Sequence, residues 1–134
     1  MSSDDGSLNF LVVDDNEDIR DVLVRMVERL GHRATTASDG LEAVEILAER
    51  RFDFMLLDLT MPRMTGDEVV RWLKAHPDRE EGLRVVVISA WVGQHRAQLE
   101  ELGVHAVMSK PFRLQELREL ISGTLSAPTS WSSR

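Results

Sequence analysis

Apolar residues along the chain follow two alternating patterns. Short apolar runs, too short to form helices, are typical of strands that are covered on both faces. Such runs predict strands at 8–13, 52–57, 83–88 and 104–108, and a weaker β-branched segment predicts one at 32–37. The segments between them carry apolar residues at every third or fourth position, which predicts amphipathic helices. Because strands alternate with helices, we expect an α/β domain with a parallel sheet and helices on both faces.

Capping residues mark where the predicted helices begin and end. Asp15 or Asn16 precedes the most regular apolar stripe, and Gly31 lies where that helix should stop. Ser38 or Asp39 can cap the second helix in the same way. Further helices are predicted from residue 65, where capping-box spacing occurs, over 94–102 and over 114–125, with a charged loop at 78–82.

The composition is that of a single globular domain. The chain has 134 residues and no cysteine, so disulfides and thiolate chemistry are excluded. A net charge of −7 argues against a nucleic-acid-binding face, and no apolar segment resembles a signal peptide or a membrane span. We therefore expect a cytoplasmic protein with no nucleic-acid or membrane partner. Its folded domain should span 8–125, between a disordered leader at 1–7 and a flexible tail at 126–134.

Functional groups follow four of the five predicted strands. Asp14 and Asp15 end the first run, Asp58 the third, Ser89 the fourth and Lys110 the fifth. The carboxyl ends of parallel strands meet at one edge of a sheet, where ligands bind in open α/β folds. Taken singly, the acids could cap helices, the serine could cap a strand end and the lysine could be a surface residue. Functional groups at four of the five strand ends favour a shared site.

Three carboxylates and one ammonium group leave this predicted site with a net negative charge. Oxygen ligands without histidine or cysteine suit Mg²⁺, which commonly binds one or two carboxylates together with a phosphate. An aspartate can act as the nucleophile toward a phosphoryl group and form an acyl phosphate. The residues therefore indicate Mg²⁺-assisted phosphoryl transfer.

These motifs, in this order, resemble the receiver domain of the two-component response regulators, in particular the stand-alone chemotaxis-type receivers. The resemblance runs from residue 9 to 125 and rests on the segments 10–15, 55–62 and 87–90, on Gly66 and on Lys110-Pro111-Phe112. It implies a flavodoxin-like five-stranded parallel sheet in the order 2-1-3-4-5.

The resemblance also implies roles for particular residues. Asp58 would accept a phosphoryl group from a phosphohistidine on a sensor histidine kinase or a histidine phosphotransfer protein. Asp15, Asp58 and the backbone carbonyl of Thr60 would bind Mg²⁺ directly, and Asp14 would act mostly through a water molecule. Lys110 would contact a phosphoryl oxygen.

The switch residues of the family lie in the last two strand ends. Ser89 would move to contact the phosphoryl group and draw the loop at Ala90 inward, and Pro111 would follow a cis peptide bond. The family usually has Tyr or Phe three residues before the lysine, whereas this chain has Val107. We hypothesise that Ser89 and the loop 90–93 transmit the signal instead, with Trp91.

Two positions match those that tune the lifetime of the acyl phosphate in the family. They are Thr60 and Trp91, each two residues after a site residue. The indole could shield the phosphoryl group from water, or it could simply pack on its loop.

The main prediction is a phosphoacceptor signalling domain that is not an enzyme beyond its own phosphorylation and dephosphorylation. It would signal through contacts with a downstream protein. One alternative is an interaction module that acts without phosphorylation. Another is a Mg²⁺-dependent aspartyl-phosphate hydrolase, but such enzymes need an Asp-x-Asp motif, and here Asn16 stands two residues after Asp14.

Overall fold

The protein forms one parallel five-stranded sheet. The structure, a computed structural model, describes residues 7–59, 64–89, 101, 103, 104, 106–109 and 113–126. The strands are β1 (Asn9–Val13), β2 (Arg33–Ala37), β3 (Phe54–Asp58), β4 (Arg84–Ser89) and β5 (Ala106–Ser109). Their spatial order is β2-β1-β3-β4-β5, and every neighbouring pair is parallel. The predicted flavodoxin-like sheet and its strand order are confirmed.

The described helices occupy the segments between strands and the end of the domain. They are α1 (Glu17–Arg29), α2 (Gly40–Leu47), α3 (Gly66–Lys74), the short α4 (Pro77–Glu80) and α5 (Leu114–Ser126). The helix predicted over 94–102 lies outside the described residues, except for Glu101. No helix in the described part of the chain combines the length and the apolarity that a membrane crossing requires.

The sheet separates two apolar cores. Successive strand residues point to opposite faces, so Leu11 and Leu57 pack toward α2 and α3, whereas Phe10 and Leu56 pack toward α1 and α5. All four side chains are fully buried. The continuous apolar runs are explained by this arrangement, since both faces of β1 and β3 are covered.

The helix starts agree with the capping residues that the sequence indicates. The Asn16 side chain accepts a hydrogen bond from the Ile19 amide at 3.0 Å, and Asp39 accepts one from Glu42 at 2.8 Å. The chain leaves α1 through Gly31, whose φ of 91° favours glycine. Each helix is thus held at the point where the chain turns back from the sheet.

The predicted loop at 78–82 is wrong for residues 78–80, because α4 begins at Pro77 and ends at Glu80. Proline is well suited to a first helical position because its φ is fixed and its missing N–H would have no helical partner. Arg79 also donates to the Leu47 and Ala48 carbonyl oxygens at 3.3 and 3.1 Å. This tertiary contact with the end of α2 holds the short helix in place.

Two large apolar residues that belong to the helical periodicity of the sequence lie on the surface. Val22 of α1 is 49% exposed and Leu41 of α2 is 40% exposed. Each lies at the margin of its stripe, and the helix buries only the centre of that stripe. For α2 the buried residues are Gly40, Ala43, Val44 and Leu47.

Candidate metal centre

Strand register brings the three predicted carboxylates together. Val13 of β1 pairs with Leu57 of β3, so the next residues, Asp14 and Asp58, follow side by side at the carboxyl edge of the sheet. Asp14, Asp15 and Asp58 each offer a carboxylate oxygen within 4.8 Å of the others. Asp14 is 1% exposed and Asp58 is 7% exposed, whereas Asp15 is exposed.

The loop that follows β1 holds Asp14 by its backbone and by its side chain. Its amide donates to the Ala37 carbonyl of β2 at 3.2 Å. One carboxylate oxygen, Oδ1, accepts the Asn16 amide at 2.9 Å, and the backbone carbonyl accepts Arg20 Nη1 at 2.8 Å. Asp14 is therefore anchored to β2 and to the start of α1, in a fixed position next to Asp58.

The backbone that follows Asp58 packs tightly against the start of α3. A Cβ atom on Gly66 would lie 2.6 Å from the Asp58 carbonyl oxygen and 2.9 Å from the Leu59 Cα. The Gly66 amide also donates to the Leu59 carbonyl at 2.9 Å. Only glycine allows this approach, so the start of α3 packs directly against the backbone of Asp58 and Leu59.

The cluster has the donor set of a site for a hard divalent cation. Three carboxylates this close repel one another, and two of them are shielded from water, so a bound cation would stabilise all three. Mg²⁺ and Ca²⁺ prefer such oxygen ligands, and Mg²⁺ needs only one or two carboxylates because it keeps part of its water shell. The partly exposed arrangement, with Asp15 at the surface, fits Mg²⁺.

The remaining predicted site residues are described only in part. Ser89 is the last residue of β4 and pairs with Ser109 of β5, which places its backbone at the same sheet edge as Asp58. Val107 pairs with Val87 and is half-buried against the core beneath α2 and α3. Thr60, Ala90, Trp91, Lys110 and Pro111 lie outside the described residues, so the roles predicted for them stay predictions.

Sequence reasoning missed two contacts, that of Arg20 with the Asp14 carbonyl and that of Gly40 with Met64. Arg20 lies close to the start of a helix, where the macrodipole disfavours a cation, and that conflict was the available signal. A Cβ atom on Gly40 would collide with the backbone of Met64, so α2 begins directly against the segment that leads into α3. No local pattern in the sequence indicates that contact.

A parallel sheet in this order, with three carboxylates at its carboxyl edge, defines a receiver-type α/β domain. The sequence profile of the family described as "Response regulator receiver domain" matches residues 10–122. This chain therefore belongs to the receiver domain family of the two-component response regulators.

Characterised relatives agree with this assignment. "Sporulation initiation phosphotransferase F" of Bacillus subtilis is 32% identical over 83% of this chain and 88% of its own length. "Response regulator MprA" of Mycobacterium ulcerans is 38% identical over 83% of this chain. The matched region is only 47% of that protein, so the chain spans about half the length of this relative.

Solved structures of receiver domains superimpose on most of the chain. The receiver domain of sensor histidine kinase PA1611 from Pseudomonas aeruginosa PAO1 has a magnesium ion coordinated in its active site cleft. It matches with a TM-score of 0.80 and 26% identity, over 87% of this chain and 96% of its own. Response regulator TrrA from Thermotoga maritima, in complex with Mg(2+)-BeF, matches with a TM-score of 0.75 and 26% identity, over 85% of this chain and 96% of its own.

Proposed function

We propose that this domain accepts a phosphoryl group on Asp58 in a Mg²⁺-dependent reaction and passes the signal on through protein contacts. The observation that carries the proposal is the cluster of Asp14, Asp15 and Asp58 at the carboxyl edge of the sheet. The backbone of Asp58 packs tightly against the start of α3 at Gly66, which fixes its position. A fixed carboxylate can attack a phosphoryl group in line, because catalysis of this reaction is mainly positioning and charge neutralisation.

In the proposed reaction, a carboxylate oxygen of Asp58 bonds to the phosphorus of a phosphohistidine on the donor protein. The phosphorus–nitrogen bond breaks, the imidazole leaves with the electron pair and takes up a proton, and Asp58 becomes an acyl phosphate. Asp14 and Asp15 would hold Mg²⁺, which offsets charge on the phosphoryl oxygens when it is bound. The thermodynamic cost of placing three carboxylates together is then offset by the cation.

The proposed donor is a sensor histidine kinase or a histidine phosphotransfer protein, because the similar proteins include a response regulator and the receiver domain of a sensor histidine kinase. We further propose that the domain spans residues 8–125, acts in the cytoplasm and contacts a downstream protein. Lys110, Ser89 and Ala90 would respond to the phosphoryl group, as the family resemblance implies. With Val107 in place of an aromatic side chain, Ser89 and the loop after it would carry the change.

A phosphorylation assay with small donors tests the proposal. The protein is incubated with Mg²⁺ and either acetyl phosphate or phosphoramidate, whose phosphorus–nitrogen bond matches that of phosphohistidine, and is then weighed intact by mass spectrometry. We expect a mass gain of one phosphoryl group that requires Mg²⁺ and is abolished by Asp58→Asn. The matched control is Asp78→Asn, because Asp78 is a highly exposed acid on α4 and should leave phosphorylation unchanged.

Other outcomes favour the alternative functions. A wild-type protein that gains no phosphoryl group from either donor would support a module that acts without phosphorylation. Repeated turnover of many phosphoesters, without a stable adduct, would support the hydrolase. Phosphorylation that persists in Asp58→Asn would contradict the assignment of the acceptor.

A further inference from the structure

A charged side chain of α1 binds the backbone of the acid pair. Arg20 Nη1 donates to the Asp14 carbonyl oxygen at 2.8 Å, and the Arg20 side chain is half-buried. The guanidinium group is a cationic donor, so this hydrogen bond is charge-assisted. The carbonyl lies just beyond Val13, the last residue of β1.

The position of Arg20 in its helix also indicates a specific role. The first turn of α1 carries Glu17 and Asp18, which favour the positive end of the helix dipole. Arg20 lies two residues after Asp18, where the same dipole disfavours a cation. Its contact with Asp14 supplies a reason for a cation at this position, since the side chain reaches back past the helix start to the strand end.

We propose that Arg20 is a positioning residue for the metal centre, which directs the Asp15 carboxylate by fixing the Asp14 carbonyl. This inference rests on the proposed binding of Mg²⁺. The Asp14 carbonyl and the Asp15 amide belong to one planar peptide group. Holding that carbonyl therefore restricts the backbone rotation that sets where the Asp15 side chain points.

The other contacts of this loop show why the backbone bond matters for Asp15. The Asp14 carboxylate is held by the Asn16 amide, and the Asn16 side chain is held by the Ile19 amide. Asp15 lies between these anchored residues and is exposed. The contact of Arg20 with the peptide group thus restricts the orientation of Asp15 from its N-terminal side.

The guanidinium group also brings a positive charge to the backbone of the acid pair, where Nη1 contacts the Asp14 carbonyl. A positive charge in this position opposes the mutual repulsion of the carboxylates. Partners of this kind, which orient metal ligands without touching the metal, are worth about 10- to 100-fold in metal affinity or activity. Because Arg20 acts through a backbone carbonyl, we expect an effect at the lower end of that range.

The test compares Arg20→Met with Arg25→Met. Arg25 is exposed on the same helix, so both variants lose one positive charge from α1. Mg²⁺ affinity is measured by isothermal titration calorimetry at a temperature where circular dichroism shows each variant fully folded. We expect roughly tenfold weaker binding for Arg20→Met and a change of less than about twofold for Arg25→Met. Arg20→Lys, which keeps a charged donor, should recover part of the lost affinity.

A second measurement separates positioning from a purely structural role. If Arg20 positions the ligands, the rate of Asp58 phosphorylation in Arg20→Met should approach the wild-type rate at saturating Mg²⁺, because bound metal restores the arrangement. A purely structural role would lower the unfolding temperature without Mg²⁺ and leave the Mg²⁺ affinity of the folded protein unchanged.

The outcomes also distinguish this inference from the proposed function. If the wild type binds Mg²⁺ and is phosphorylated on Asp58, but Arg20→Met binds Mg²⁺ as tightly as Arg25→Met, the role of Arg20 is refuted and the function stands. If Mg²⁺ binds and depends on Arg20 but Asp58 is not phosphorylated, the function is refuted and the positioning role stands. A wild type that binds no Mg²⁺ refutes both.

Discussion

Replacing Gly66 by alanine should disturb the packing of α3 against the backbone of Asp58, the proposed phosphoacceptor. The added Cβ would lie 2.6 Å from the Asp58 carbonyl oxygen and 2.9 Å from the Leu59 Cα, and both are backbone atoms that cannot rotate away. Overpacking of this kind costs about 1–3 kcal/mol. Alanine is favoured over glycine in a helix by about 0.5–1 kcal/mol. We therefore expect the free energy of unfolding to fall by about 1–2 kcal/mol.

The assay is urea unfolding followed by circular dichroism, together with calorimetric titration of Mg²⁺. Gly31→Ala is the control, because Gly31 has open space around its Cβ position but a φ of 91°. An alanine side chain in this left-handed conformation costs about 1–2 kcal/mol. Gly31 precedes β2 and therefore lies at the edge of the sheet opposite Asp58. Both variants should lose stability, but only Gly66→Ala should bind Mg²⁺ more weakly. If Gly66→Ala kept both the stability and the Mg²⁺ affinity of the wild type, the reasoning would be refuted.

Three further predictions concern the helix contacts, the sheet edge and the acid cluster. Arg79→Met should lower the free energy of unfolding by about 1–2 kcal/mol, measured in urea, because the last carbonyls of α2 lose a charged donor. Burial lowers the pKa of His32 below its ordinary value of 6.5, although the charge of Asp53 opposes this shift. The His32 Nδ1 atom accepts a hydrogen bond from the Leu8 amide at 3.0 Å. The unfolded chain therefore binds more protons below pH 6.5, so stability should fall as the pH drops from 6.5 toward the lowered pKa of the folded state. His32→Gln should reduce that slope in unfolding titrations. Asp15→Asn should raise the melting temperature without Mg²⁺, because repulsion in the cluster falls, and should reduce the further rise that Mg²⁺ produces; an unchanged response to Mg²⁺ would contradict its place in the site.

Much of the fold could be predicted because the local spacing of apolar residues indicates the strands and helices. The strands are buried on both faces, which leaves continuous apolar runs, and the parallel arrangement then places Asp14 and Asp58 at one edge without any further information. The helix starts at Asn16 and Asp39 follow from capping chemistry that acts over three residues.

What could not be predicted depends on tertiary contacts. The short helix α4 reads as a charged loop, because its stabilising contact runs from Arg79 to carbonyls about thirty residues earlier in the chain. The position of Arg20 close to the start of α1 is unusual for a cation, but its partner is a backbone carbonyl, which the sequence does not identify. The tight approach of Gly66 to Asp58 likewise becomes visible only when the helix start is placed against the strand end.

The central claim is that Asp58 receives the phosphoryl group at a Mg²⁺ site. The most direct measurement is to phosphorylate the protein with phosphoramidate, reduce the acyl phosphate with borohydride, which converts the modified aspartate to homoserine, and locate that residue by tandem mass spectrometry. We predict homoserine at position 58 alone, and none when Mg²⁺ is removed by a chelator. Homoserine at another acid of the cluster, or at position 58 without Mg²⁺, would contradict the account.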